Sequence, residues 1–566
     1  MPARSNLHLW RDWVINAVND DLPYDEFVRA QITGYRSSER TSISATGFRR
    51  RKQPRPDDVF ALGFLSRGAT RVDDSDSALA LNAVETVSTT FLGMTVGCAK
   101  CHDHFYDPIE QQDFYAMKAL FDPLVLKPVQ LATSLELFEY GRKQTAYERE
   151  KKKLDRELDA LIKPYHTRLY NERVDMLPPE IQAIIRKPEH QRTEAEQTTA
   201  DEYYPILRID VPKLREIMPK ATIERYDDLR RRIGKLAAPS KPPVFWAVRE
   251  DEIRKQQTRY VLNSGDASRP EKDRPVEPGF PFADASSINF REGLREGFVD
   301  WLTDPENPLF ARVAVNRIWQ WHFGAGLHKT ASDFGELGEQ PAHPELLDWL
   351  AAEFVENGYS MKWLHRQIVT SETYMRASTS HQSHANENDS NNRLFWRFPM
   401  KRLEAEPIWD AIHQVSNDLD VALGGQSFTP KNDSAFHNER KRRATYMQRG
   451  FRSSREVMPE FLRVFDVEDG RTPCSLRQQS VTAPQSLLLL NSPLLESAAK
   501  KFANRIDEQS EGDLATAIDL AYRLTLCRPP NTNELSSALG YLNDDRSRLA
   551  GFCLLMFNLD EFIYVP

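Results

Sequence analysis

Residues 98–102 read Cys-Ala-Lys-Cys-His, and no other five residues restrict this chain as much. Cys-x-x-Cys-His is the attachment signature of a c-type haem. Two thiols three residues apart on a helical turn reach the two vinyl groups on one porphyrin edge, and the adjoining imidazole faces the iron. Cys98 and Cys101 are therefore the candidate thioether positions, and His102 is the candidate proximal ligand. His104, Met94 and Met117 are the nearby candidates for a sixth iron ligand. Met117 falls on an apolar helix face, where methionine is ordinarily core. His104 is equally suited to hydrogen-bond Asp103 or Asp107.

Three readings compete with haem. Zinc is the first, because Cys98, Cys101, His102 and His104 offer four ligands within seven residues. Ligands so crowded are awkward for one tetrahedral ion, and no second Cys-x-x-Cys or His-x-x-x-His completes the pattern. A thioredoxin-type dithiol needs a strand before the motif, where a helix is expected. An unoccupied relic is the third.

Composition removes whole classes. The chain has 566 residues, 75 basic and 83 acidic, for a net charge of -8. Nothing in that balance supports nucleic-acid binding. The run Arg49-Arg50-Arg51-Lys52, with Arg55 after it, reads as a solvated loop. An apolar fraction of 40% is enough to build real cores. No stretch approaches ~18 uninterrupted apolar residues, so no membrane span is expected. Five cysteines do not make a disulfide scaffold, and Cys474, Cys527 and Cys553 read as buried or incidental thiols. Trp10 to Val18 is broken by Arg11, Asp12 and Asn16, so it is not the apolar core of a signal peptide.

Periodicity is mostly helical. Trp10, Trp13, Val14, Ala17 and Val18 form one stripe. Pro23 opens a second helix that closes at Gly34. Residues 35–58 read as loop. A helix is expected over 77–92 with Leu81, Val84, Val87 and Phe91 inward, and another from Pro108 with Phe114, Met117 and Phe121 inward. Leu154, Leu158, Leu161 and Ile162 make a narrow seam in a charged helical arm, with 226–233 as the tail of its partner. Residues 186–204 are weakly patterned. Runs 244–248 and 260–262 are of β type, and the prolines at 270–281 read as an extended linker. Beyond 287 helices return, with Pro344 at one start and Ser360 capping the next. Residues 377–392 read as a polar loop, and 480–491 and 554–565 as buried segments.

Other candidates carry plainer explanations. Trp319, Trp321 and His322 would stack on a sugar ring if they faced one site, but core aromatics on a buried helix are favoured. His343 and His365 read as hydrogen-bonded histidines, and Glu404 and Glu406 as helix-start charges.

The segment PheLeuGlyMetThrValGlyCysAlaLysCysHisAspHis at 91–104, with AspProIle at 107–109 and AspPheTyr at 113–115, resembles a planctomycete cytochrome-c-associated family. That family pairs two domains of unknown function, 1549 and 1553. The second domain is similar at 307–319 (AsnProLeuPheAlaArgValAlaValAsnArgIleTrp), 343–351, 402–406 and 483–491. The resemblance implies an exported, periplasmic or otherwise extracytoplasmic protein with covalent haem c at Cys98, Cys101 and His102. It also implies a chain that enters its first domain partway through, since relatives often carry a leader and a further cytochrome domain.

The expected fold is mainly α. A helical cytochrome-like domain occupies 1–125, a charged helical arm with a small strand insert 126–285, and a larger α-helical domain 286–566. The expected function is c-type cytochrome-like electron transfer with a redox partner protein. Two alternatives stand beside it: an oxidoreductase acting on a polysaccharide-derived substrate, which would make a carbohydrate the ligand, and a non-redox scaffold holding structural zinc at the same cysteines.

Overall fold

The computed structural model describes residues 6–36, 56–65, 76–282, 290, 293–379, 383–428, 441–449, 451–452, 455–456, 458–468, 474–477 and 479–565. The protein is mainly α, and the sheets among the described residues are short two-stranded ribbons. It divides into two compact units, Met1–Val129 with Phe245–Pro566, and Gln130–Val244. The basic run at 49–55 lies outside the described residues.

In the first unit, α1 (His8–Asn19) buries Trp13 and Ala17, and α2 (Tyr24–Thr33) buries Val28 and Ile32 and ends at Gly34. The helix expected over 77–92 is α3 (Asp76–Val87) followed by a widened π turn, Ser88–Leu92. Such a turn displaces backbone carbonyls from the regular ladder. The Thr89 carbonyl there accepts from Arg317 Nη2 at 2.8 Å. Helix α4 (Gln111–Phe121) starts three residues after Pro108, where Asp113 accepts the Glu110 N–H at 2.8 Å. Its Phe114, Met117 and Phe121 are buried, as their spacing predicts. Strand β1 (Leu124–Gln130) pairs with β2 (Val244–Glu250).

One apolar core continues from α3 and α4 into the helices Leu294–Leu302, Phe310–Phe323, Pro344–Glu356 and Met361–Val369. Residues more than two hundred positions apart thus share a single interior, with Phe298 stacked edge-on between Phe121 and Phe280. Ser360 caps its helix by accepting the Trp363 N–H. A separate core is built by the helices Ala405–Val415, Pro493–Gln509, Leu514–Leu526 and Leu549–Met556.

Several expectations need correction. The proline-rich linker contains a strand: β3 (Arg259–Leu262) pairs antiparallel with β4 (Pro270–Val276), with Pro275 opposite Tyr260 and Pro270 opposite Leu262. A two-stranded ribbon has only edges, so prolines cost it few ladder bonds. Within the weakly patterned stretch 186–204, residues 194–204 lie in the helix Glu194–Leu207, which is started by a Thr193/Glu196 capping box, and Glu189–Gln191 forms a 3-10 turn. The polar tract 377–392 contains the helix Ser383–Asn388. In 480–491, Leu487 and Leu490 are exposed while Gln485 and Leu489 are buried.

The second unit is the charged arm. Helix α5 (Ser134–Asp175) has 42 residues. It buries Leu154 and Leu158 against Tyr226 and Leu229 of the helix Lys220–Lys235, the seam its spacing predicts. No helix among the described residues is long and apolar enough to cross a membrane.

Phe298 is fully buried in the shared core. Phe298→Ala is expected to lower stability by about 3–5 kcal/mol, read from the urea midpoint of the corresponding transition. A loss below about 1 kcal/mol would contradict the packing described for this ring.

Candidate functional site

The Cys-x-x-Cys-His segment lies on a five-residue 3-10 helix, Val96–Lys100, that ends at Cys101. The choice of helix matters. With three residues per turn, positions i and i+3 eclipse. Val96 and Ala99 share the face that is fully buried, and Cys98 and Cys101 share the next face, where both are exposed. The two thiols therefore stack on one side of the turn, about 6 Å apart along its axis. The expectation of a helical turn holds, in the tighter form.

His102 is exposed, and its Nδ1 lies 2.7 Å from the Asp103 carbonyl oxygen. A carbonyl can only accept, so Nδ1 carries the proton and Nε2 of the neutral ring presents its lone pair. Metal-ligating histidines are commonly fixed in this way by a carbonyl at the other nitrogen. The ring leans on Phe105, centroids 4.2 Å apart. Phe105 and Tyr106 are 79% and 58% exposed, which leaves apolar surface next to the His102 ring.

His104 is engaged differently. Its Nδ1 accepts the backbone N–H of Asp107 at 2.9 Å and of Tyr106 at 3.3 Å, so its Nε2–H donates to Thr95 Oγ1 at 3.1 Å. The partner anticipated at Asp107 is thus its amide, with the carboxylate 3.5 Å away. Met94 is buried, and Met117 is wholly inside the core. No three His, Cys, Asp or Glu side chains among the described residues converge where one metal ion would sit.

Residues to which the sequence pattern assigned no role hold the loop. Tyr115 Oη and Gln111 Nε2 both donate to the Lys100 carbonyl, at 3.0 and 3.3 Å. Gln111 Nε2 also reaches the Leu262 carbonyl at 3.1 Å, which ties the turn to the β3–β4 ribbon. Burial pushes the Tyr115 phenol up, and the neighbouring Cys101 sulfur adds to that. The ribbon's tip passes so close that a Cβ on Gly265 would lie 2.9 Å from Cys101 Sγ, and Gly265 has a φ of +77°. Only glycine adopts that backbone cheaply.

The aromatic group farther along is dispersed. Trp319 is buried and stacked on Phe323 at 4.3 Å, whereas Trp321 is 60% exposed. Core packing explains Trp319, and the two indoles do not share a site. His322 Nε2 meets His365 Nδ1 at 2.8 Å. Glu404 and Glu406 at the start of the helix Ala405–Val415 are bound by Arg477 at 2.6 and 2.8 Å. Cys553 is buried, and Cys474 and Cys527 are exposed.

Two outcomes follow. With Cys98, Cys474 and Cys527 replaced by serine, Gly265→Ala should change the rate at which Cys101 reacts with a thiol reagent by about threefold or more, because the left-handed φ costs an alanine roughly 1 kcal/mol and the tip must shift. An unchanged rate would mean that the ribbon does not position this thiol. The second outcome concerns His322. Burial, followed by His365 and Lys401, holds it near a pKa of about 4, against an ordinary 6.5. Between those values the unfolded chain binds more protons than the folded one, so stability should fall as pH drops from 6.5 toward 4. His322→Asn should flatten that slope in pH-dependent urea melts, and a slope identical to the parent's would exclude this origin.

No curated protein and no solved structure matches the chain. Residues 2–125 match PSCyt2, a protein of unknown function (DUF1549), and residues 294–542 match PSD1, a protein of unknown function (DUF1553). The chain therefore carries the paired DUF1549 and DUF1553 domains, with the Cys-x-x-Cys-His turn inside the first.

Proposed function

We propose that this protein is an extracytoplasmic, c-type cytochrome-like electron carrier that holds one haem through Cys98 and Cys101, with His102 as proximal ligand. The observation that carries the reading is the eclipsed, exposed pair of thiols next to an imidazole whose Nδ1–H is already committed to the Asp103 carbonyl. The residues fit the group: two accessible sulfurs on one face, a nitrogen lone pair on the residue next to Cys101, and the apolar surface of Phe105 against that imidazole.

Bound there, haem supplies a one-electron ferrous/ferric couple. The chain's own residues do the positioning. Asp103 fixes the His102 tautomer, Tyr115 and Gln111 hold the turn by its carbonyl, and the Gly265 tip limits where Cys101 can swing. Exposure of the turn leaves its edge open to a redox partner protein. In bacteria haem is attached to such motifs outside the cytoplasm, which supports an extracytoplasmic working compartment.

The test is expression of the full chain behind an export leader in a host with haem-attachment machinery. The mature polypeptide should gain the mass of one haem, with an absorbance band that survives acid–acetone extraction. Cys98→Ala with Cys101→Ala should abolish that band. A mature mass equal to that of the amino acids alone would end the proposal.

A further inference from the structure

His322 and His365 form a pair to which the proposed electron carrier gives no task. His322 stands in the last turn of the helix Phe310–Phe323, and His365 in the helix Met361–Val369. Both helices are fixed by the shared apolar core. The rings meet nitrogen to nitrogen, with His322 Nε2 2.8 Å from His365 Nδ1 and the ring planes 71° apart. Both residues are only partly buried, so the pair keeps an edge in water.

This contact uses little of what the two rings offer. Two neutral imidazoles carry two protons on four nitrogens, and one proton serves the contact. His322 Nδ1 and His365 Nε2 make no hydrogen bond among the described residues, so neither ring is held to one tautomer from outside. With both protons on those outer nitrogens, two lone pairs face each other across the 2.8 Å gap. Burial keeps the rings neutral, pushing both down from 6.5 and His322 to about 4.

Two lone pairs so placed are a cis pair of metal ligands. Imidazole binds first-row ions at about 2.0–2.1 Å, so two nitrogens at a right angle about an ion lie about 2.9 Å apart, and at the tetrahedral angle about 3.3 Å. The observed 2.8 Å fits the right angle, which suits tetragonal Cu(II) rather than tetrahedral Zn(II). An ion beside the N–N line needs each ring to turn about its Cβ–Cγ bond, a torsion with a broad minimum in histidine. Lys401 opposes a cation here, but its amino group is bonded to the Trp321 carbonyl. Asp21 acts in the other direction on His365, and the C-terminal end of the helix Phe310–Phe323 is the negative end of its dipole. No third His, Cys, Asp or Glu converges on the pair among the described residues, so water completes the coordination. We infer that His322 and His365 form a two-imidazole site for one divalent transition-metal ion of tetragonal preference, copper(II) above all. The inference does not depend on haem at the cysteine turn.

Copper titration of the full chain tests it, with Cys98, Cys101, Cys474 and Cys527 replaced by serine and with His102→Asn, so that the cysteine turn cannot take the ion. At neutral pH one equivalent of Cu(II) should bind, with an electron paramagnetic resonance spectrum split by two imidazole nitrogens. His322→Asn and His365→Asn should each weaken binding at least about tenfold. The variant His166→Asn, His190→Asn removes two exposed arm histidines and should bind like the parent. Bound copper should raise the melting temperature of the parent but of neither pair variant. A parent-like urea midpoint shows that each pair variant folds, and if one does not, the nitrogen count in the parent decides. Unchanged binding in both folded pair variants overturns the inference, as does a spectrum with fewer than two imidazoles or no stoichiometric binding. Equal weakening in the arm variant also overturns it, in favour of scattered surface histidines. Zinc binding more tightly than copper overturns it in favour of a tetrahedral site.

Discussion

The Asp107 carboxylate is the contact on which the cysteine loop depends. It is buried, and it accepts the Glu336 amide from the second domain at 2.8 Å. A Cβ on Gly335 would fall 2.2 Å from it, so glycine is what lets the two segments meet. A hydrogen bond to a charged group contributes about 1.5–3 kcal/mol, and removing it would strand a buried charge. Two further bonds run in parallel. The Gly93 carbonyl accepts the Phe334 N–H at 2.7 Å, and the Thr89 carbonyl accepts from Arg317. The loop that carries Cys98, Cys101 and His102 is thus moulded from both sides, by its own helix α4 and by residues more than two hundred positions later.

That support explains why the motif sits on a 3-10 turn rather than a longer α-helix. The π turn at Ser88–Leu92 and the anchor at Asp107 leave a short span, and three residues per turn bury Val96 and Ala99 while turning both thiols outward. The backbone there is irregular, and several of its polar groups are paired. Lys100 O, Asp103 O and both nitrogens of His104 all have partners. Irregular loops on a rigid core are where proteins place chemistry.

Local features were the readable ones. The stripes of α1 and α4, the start at Pro344 and the cap at Ser360 depend on residues within one or two turns, and they stand where periodicity and capping rules put them, except that Val18 at the end of the α1 stripe is exposed. The arm seam at Leu154 and Leu158 was readable for the same reason. The hairpin strand at 270–276 was hidden because its prolines look like a linker until β3 lies alongside. Thr193 and Glu196 carried a readable capping signal that the polar composition around them masked. Trp319 and Trp321, two residues apart, point to opposite environments because a helix turns about 200° over that interval.

From sequence alone came the chemistry on offer: two thiols, an imidazole, a mainly helical chain and a pair of domains recognisable by their short motifs. These are properties of neighbouring residues, so they survive without coordinates. The fold supplied the rest: which histidine keeps a free nitrogen, which methionines are sealed in the core, and that His322 and His365 meet nitrogen to nitrogen. Each of these depends on contacts between segments far apart in the chain, and no local pattern encodes which distant carbonyl, amide or glycine will be the partner.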